Sequence, residues 1–180
     1  MLPRLCRGAH QLTNTLTALN ALTVLSTRGF PISQEARRQG LAQVRWPARL
    51  EWAGNVLLDG GHNPQGISAL MDYVQTWLRD THRVLVTGVL EDHLQPDMLQ
   101  SLSELGQEII TITPDSPRAM QGERLAEQLR RLGRPAQYAP GIHEAMQLAQ
   151  QKAGSEGVVL VAGSLYLAGA VRTELGLPWK

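Results

Sequence analysis

The chain has 180 residues, 43% of them hydrophobic and 18% charged, a composition that suits one compact domain with a small appendage and argues against a disordered chain. With 17 Lys and Arg against 16 Asp and Glu, the formal net charge is +1, and the basic residues are scattered apart from pairs such as Arg37-Arg38 and Arg130-Arg131, so no nucleic-acid partner is expected. The single cysteine, Cys6, excludes an intrachain disulfide and a cysteine-based zinc site and points to a reducing cytoplasm.

At the start of the chain, Arg4 and Arg7 precede an apolar stretch from Leu12 to Leu25, which has the outline of a secretory signal. Gln11, Asn14, Asn20 and the threonines at 13, 15, 17 and 23 interrupt that stretch, whereas Leu12, Leu16, Leu19, Leu22 and Val24 or Leu25 recur at helical spacing. The pattern predicts an amphipathic helix over about 10–26. No run approaches the roughly 18 apolar residues needed to span a bilayer, so no membrane partner is expected. Arg28-Gly29-Phe30-Pro31 is a break, and a second helix is expected over about 33–43 with Ser33 as its N-cap. Pro47 ends this helical region, placing a boundary that leaves residues 1–45 as a helical segment and 46–180 as a separate domain.

Beyond Leu50 short apolar runs alternate with longer amphipathic segments. Val56-Leu57-Leu58 leads to a helix over about 64–78, and Arg83 to Val89 leads to one over about 97–105. Glu108 to Thr113 precedes a helix near 122–132, a short strand at Gln137-Tyr138 precedes 142–152, and Gly157 to Ala162 precedes 165–175. Strands that are apolar on nearly every residue are buried on both faces. Repeated βα units of this kind imply an α/β, Rossmann-like, mostly parallel sheet with helices on both faces, joined by right-handed crossovers. In the first of these helices Ile67, Leu70, Met71, Val74, Trp77 and Leu78 form one stripe, with Pro64 in the first turn. Trp46, Trp52, Trp77 and Trp179 are read as packing residues.

The stretch richest in chemistry is Asp59-Gly60-Gly61-His62-Asn63-Pro64, which sits between a buried strand and a helix N-terminus. In open α/β sheets ligands bind beyond the carboxyl ends of strands, where free helix N–H groups face outward. Glycines there allow a sharp turn and a close approach to ligand. Asp59 can accept hydrogen bonds from ribose hydroxyls or an ammonium group, and His62 can donate to a carboxylate or phosphate oxygen. The plainer alternative is that Asp59 and Asn63 only form the turn and cap the helix. His10, His82, His93 and His143 show no paired helical spacing and no adjoining acidic cluster, so no metal site is expected within this chain.

Asp59 to Pro64 resembles the aspartate-glycine-alanine-histidine-asparagine-proline signature of the folylpolyglutamate and dihydrofolate synthases of the Mur ligase superfamily, with Gly61 in place of alanine. Other segments resemble the same family in the same order: Gly8 to Asn14 (GAHQLTN), Trp46-Pro47-Ala48-Arg49 with Ala48 in place of glycine, Val86 to Asp92 (VTGVLED), Pro117-Arg118-Ala119 and Val161 to Leu167 (VAGSLYL). His93-Leu94 stand where the family continues with lysine-aspartate. The resemblance implies an ATP-dependent ligase that turns a folate carboxylate into an acyl phosphate and lets the amine of L-glutamate attack it. It further implies that Asn14, Arg49 and Asp59 contact the nucleotide. His62 would be catalytic or substrate-positioning, with Asp59 beside it, and Asn63 and Ser164 would touch substrate. A glycine-rich phosphate loop ending in Gly-Lys-Ser or Gly-Lys-Thr is absent from these 180 residues. The resemblance therefore places that loop and the Mg2+ ligands in a preceding domain, makes residues 1–45 the end of a central ATPase domain, and makes Met1 the start of a fragment, inactive alone, of an enzyme that is a monomer when whole. Two alternatives stay open. One is a cell-wall Mur-type ligase, against which Asn63-Pro64 argues because that branch favours threonine-proline; the other is a non-catalytic Rossmann-like binding module.

Overall fold

The computed structural model describes residues 9–178, with side chains from residue 11 onward. Met1, Cys6, Gly8 and Trp179, and the side chain of His10, lie outside the described residues. The chain divides into two compact units, residues 1–46 and 47–180.

In the first unit, α1 (Ala9–Thr27) and α2 (Gln34–Gln43) are joined by a turn through Gly29 at φ 93°. Ser33 caps α2, its Oγ accepting from Ala36 N at 3.0 Å. Arg37 ties the helices together by donating to Thr23 Oγ1 (3.1 Å) and Ser26 Oγ (2.8 Å). The expected stripe does not cover a core: Leu12, Leu16, Val24 and Leu25 are all exposed, and α2 buries no residue. The partly covered positions of α1 are Gln11, Thr15, Leu19, Leu22 and Ser26. Leucines recur all round this helix, and one polar face rather than the leucine face meets Arg37.

The second unit is built on a six-stranded sheet of order β1-β2-β6-β3-β4-β5, with β1 at Glu51–Ala53, β2 at Val56–Leu58, β3 at Arg83–Thr87, β4 at Glu108–Thr111, β5 at Ala136–Tyr138 and β6 at Val158–Ala162. All neighbours are parallel except β1 and β2. That hairpin escapes the sequence reading because Glu51-Trp52-Ala53 is short and only partly buried. In the parallel strands the side chains alternate between two packed faces. Leu57, Leu160, Leu85 and Ile109 pack with α3 (Pro64–Trp77), α4 (Pro96–Leu105) and α5 (Gly122–Arg131). Val56, Leu58, Val159, Val161, Val84, Val86 and Ile110 pack with α6 (Ile142–Ala153) and α7 (Leu165–Glu174).

The handedness of crossovers explains which helix lies where. From β3 through β4 to β5 the chain steps one way across the sheet, as it does from β2 to β3, so α3, α4 and α5 share a face. From β5 it returns to β6, between β2 and β3, so α6 lies on the opposite face and α7 follows it there. Strand β6 is thus flanked on both sides by strands whose outgoing helices take the other face, the topological position beyond which ligands bind in open α/β sheets.

Trp77 and Trp46 do not serve as packing residues; each is 69% exposed. Trp77 falls ten residues after Ile67, about 80° round the helix at the margin of the stripe, while Leu78 is buried. Trp52 does pack, its indole N–H donating to Tyr73 Oη at 3.3 Å. At the amino edge of the sheet Arg83 donates to the last carbonyls of α3 (Leu78 O, 2.5 Å) and α4 (Leu105 O, 3.0 Å), and burial lowers its pKa from the usual arginine value.

Candidate functional site

The carboxyl end of β2 runs into Asp59, Gly60 and Gly61, all buried. Asp59 N donates to Val161 O at 2.9 Å, extending the pairing with β6 by one residue. The Asp59 carboxylate faces its own backbone: Oδ1 accepts from Gly61 N at 2.8 Å and Oδ2 from Leu50 N at 3.0 Å. Gly60 N donates to Ala48 O at 2.7 Å. The loop after β2 is thereby tied to the turn that carries Arg49.

That turn is unusual in holding two non-glycine residues at positive φ, Ala48 at 54° and Leu50 at 47°. It persists because both ends are pinned. Ala48 N donates to Glu51 Oε2 at 2.8 Å, the same carboxylate pairs with Arg172 of α7, and Leu50 N is held by Asp59. Arg49 projects between the pins, half-buried, and meets no carboxylate among the described residues.

The glycines supply space more than conformational freedom. Gly60 and Gly61 have no positive φ, but a Cβ at Gly60 would stand 2.5 Å from Leu165 Cδ2, and one at Gly61 3.0 Å from Asp59 Oδ1. Gly163, after β6, does need its φ of 108°, and its N–H donates to Gly61 O at 2.8 Å. Ser164 then caps α7, its Oγ accepting from Tyr166 N at 3.1 Å, and is 1% exposed. Asn63 caps α3 by accepting from Gly66 N at 2.8 Å. The plainer roles for Asp59 and Asn63 as turn and cap are therefore both realised, and Ser164 shares its hydroxyl with a backbone N–H.

His62 stands apart from this backbone accounting. Its Nδ1 lies 2.9 Å from Gly60 O, and because a carbonyl can only accept, Nδ1 carries the hydrogen and Nε2 is left with the lone pair in the neutral ring. The ring is half-buried, and its centroid is 5.7 Å from that of His93. His93 belongs to a one-turn 3-10 helix, Glu91–His93, after β3. Two ion pairs to the facing loop and helix hold this turn, Asp92 with Arg118 (2.7 Å) and Glu91 with Arg124 (2.6 Å). The hydrogen bond and charge of Asp92 raise the Arg118 pKa. A backbone clasp completes the seat, with Glu91 N donating to Arg118 O at 2.9 Å and Met120 N to Val89 O at 3.0 Å.

Asp59, His62, Asn63, Ser164 and the Arg49 turn thus come together at the carboxyl edge of β2 and β6, whereas Asn14 is an exposed residue of α1 in the first unit. The sequence reading weighed His93 only as a metal ligand and as a departure from the family pattern, and passed over Glu51 and Arg172. The signal for His93 was its place in the loop after a buried strand; Glu51 and Arg172 are 121 residues apart and nothing local joins them. Among the described residues no group of three or more His, Cys, Asp or Glu is placed to hold a metal ion, and no helix is long and apolar enough to cross a membrane.

Residues 48–165 match the family described as Mur ligase, glutamate ligase domain. The chain is similar to a dihydrofolate synthase/folylpolyglutamate synthase of Bacillus subtilis, 28% identical over 93% of this chain and 40% of that protein. In structure it is similar to folylpolyglutamate synthase of Mycobacterium tuberculosis complexed with ADP and AMPPCP, with a TM-score of 0.81 and 30% identity over 95% of this chain and 41% of that one. A bifunctional folylpolyglutamate synthase/dihydrofolate synthase of Yersinia pestis complexed with AMPPNP and Mn ion gives a TM-score of 0.73 and 31% identity over 87% of this chain and 38% of that one. The chain spans about two fifths of the length of these relatives.

Proposed function

Because the chain belongs to the Mur ligase family as its glutamate ligase domain, we propose that it is the C-terminal part of an ATP-dependent folylpolyglutamate synthase, adding L-glutamate to a reduced folate through an acyl phosphate. The observation that carries this reading is the pinned crest at β2 and β6, where an arginine turn, an imidazole with a directed lone pair and a capped helix N-terminus converge. Its relatives in structure are complexed with adenine nucleotides, which supports ATP as the co-substrate here.

In this proposal residues 1–45 close a central ATPase domain and residues 46–180 handle the amino acid. Arg49 offers a planar cation to phosphate oxygens, and Asn14 is assigned to the nucleotide by the family resemblance alone. Asp59 acts on the nucleotide and the reaction chiefly by holding the Arg49 turn and the His62 loop in register. His62 Nε2 takes a proton from the glutamate ammonium, and Asn63 and Ser164 line the path of that substrate. Mg2+ would neutralise phosphate charge when bound, and its ligands are assigned to a preceding domain. The whole enzyme works as a cytoplasmic monomer.

The test is ligation of glutamate to tetrahydrofolate in the presence of ATP, comparing this chain with the same chain joined to an upstream part that bears a phosphate loop. Ligation by the joined protein alone, reduced roughly 100-fold or more by His62→Ala with the fold intact, is the expected result. A joined protein that folds, binds ATP and ignores folate would turn the assignment to another amino-acid ligase.

A further inference from the structure

His62 can accept a proton, but nothing on its own loop can take that proton away. Its Nδ1 is committed to Gly60 O, and the Asp59 carboxylate is 5% exposed with both oxygens against backbone N–H groups. The other charged groups around it are also engaged: Asp92 with Arg118, Glu91 with Arg124, and Arg118 in turn with Tyr166 at the start of α7. What remains is His93. Its ring centroid is 5.7 Å from that of His62 with the planes tilted by 33°, within the reach of one bridging water, and its side chain is 35% exposed. The clasp between residues 89–91 and 118–120 fixes it there from a different strand.

We propose that His93 is the second imidazole of a proton relay that starts at His62 and ends in solvent, an inference that rests on the ligase reading above. As the glutamate nitrogen forms its bond to the acyl carbon, the bond from that carbon to the phosphate oxygen breaks and the phosphate leaves with the electron pair. Two protons leave the ammonium nitrogen in all. One ends on the released phosphate; the other is taken by His62 Nε2 and, because Nδ1 keeps its own hydrogen on Gly60 O, leaves from the same Nε2 through a bridging water to His93 once the amine has reacted, passing out beside the exposed Asp92, whose Oδ1 is 4.0 Å from His93 Nε2.

Two measurements test this. In the joined ligase, His93→Ala lowers kcat at least about tenfold with KM for glutamate unchanged, and free imidazole restores the rate in a saturable manner. Full activity of His93→Ala, or a loss that imidazole does not restore, overturns the relay. In this 180-residue chain, imidazole 15N spectra show His62 as the Nδ1–H tautomer, and its Nε2 signal shifts when His93 is replaced by Ala. An Nε2–H tautomer, or an unshifted Nε2 signal, also overturns it. If the unsubstituted ligase joins glutamate to no folate, the ligase reading falls by itself, and the spectra still decide whether the two imidazoles communicate.

Discussion

Leu16 in α1 and Leu160 in β6 are the same side chain in two kinds of surroundings, one 61% exposed and the other 0%. In the second unit every strand residue of β6 is covered by helices on two faces, so each apolar side chain removes its full surface from water. In the first unit the two helices bury almost nothing, and Arg37 with its two hydroxyl partners is the main described link between them. The difference teaches that the α/β unit carries its own core, while the helical pair depends on few internal contacts.

The largest effect expected from breaking this contrast is at the centre of the sheet. Leu160→Ala costs about 3–4 kcal/mol, from lost transfer energy and the cavity left between β6 and the helices α3–α5, whereas Leu16→Ala stays within about 0.5 kcal/mol. Urea unfolding followed separately by amide exchange in the two units checks it; comparable losses at both sites would mean that α1 has a core of its own.

Next in size is Asp59→Ala. Removing the carboxylate leaves Leu50 N and Gly61 N without acceptors at buried residues, at a cost of about 2–3 kcal/mol. Faster amide exchange at Leu50 and Gly61, with α1 unchanged, would separate this local loosening from a general one. Ala48→Gly acts in the opposite direction and more weakly. An L-residue in the left-handed region costs roughly 1–2 kcal/mol, somewhat more than the disorder glycine adds to the unfolded chain. A gain of about 0.5 kcal/mol is expected, read as a Tm rise of about 1–2 °C. A fall in Tm would show that the buried Ala48 methyl contributes more than its backbone costs.

The parallel strands were legible because burial on two faces leaves a continuous apolar run, and Val56-Leu57-Leu58, Val84 to Val86 and Val158 to Ala162 carry it plainly. The loop at Asp59 was legible because an acid, two glycines and a capping asparagine follow the first of those runs. What the sequence hid was partnership across distance. Asp59 holds the Arg49 turn through Leu50 N, and His93 meets His62 because β2 and β3 both run parallel to β6 and so deliver their loops to the same edge of the sheet. The leucines of α1 marked a helix where one stands, Ala9–Thr27, but helical spacing states that a face is apolar, not what covers it.

The smallest effect sharpens the comparison through pH. His143, at the start of α6, lies 2.8 Å from Glu174 at the end of α7, and the hydrogen bond to that carboxylate, followed by its charge, raises the imidazole pKa above 6.5. A group whose folded-state pKa is raised stabilises fully below its unfolded value and loses that contribution as pH climbs through the folded value. The Tm difference between the parent and His143→Gln is therefore largest below about pH 6.5 and closes on the alkaline side. Both groups are exposed, so the shift is small and weakens with salt. In the first unit α2 carries no histidine, so amide protection factors there should stay constant while the α6–α7 contact loosens. A Tm difference that is equal at both ends of the range would assign the His143 contribution to packing rather than to its proton.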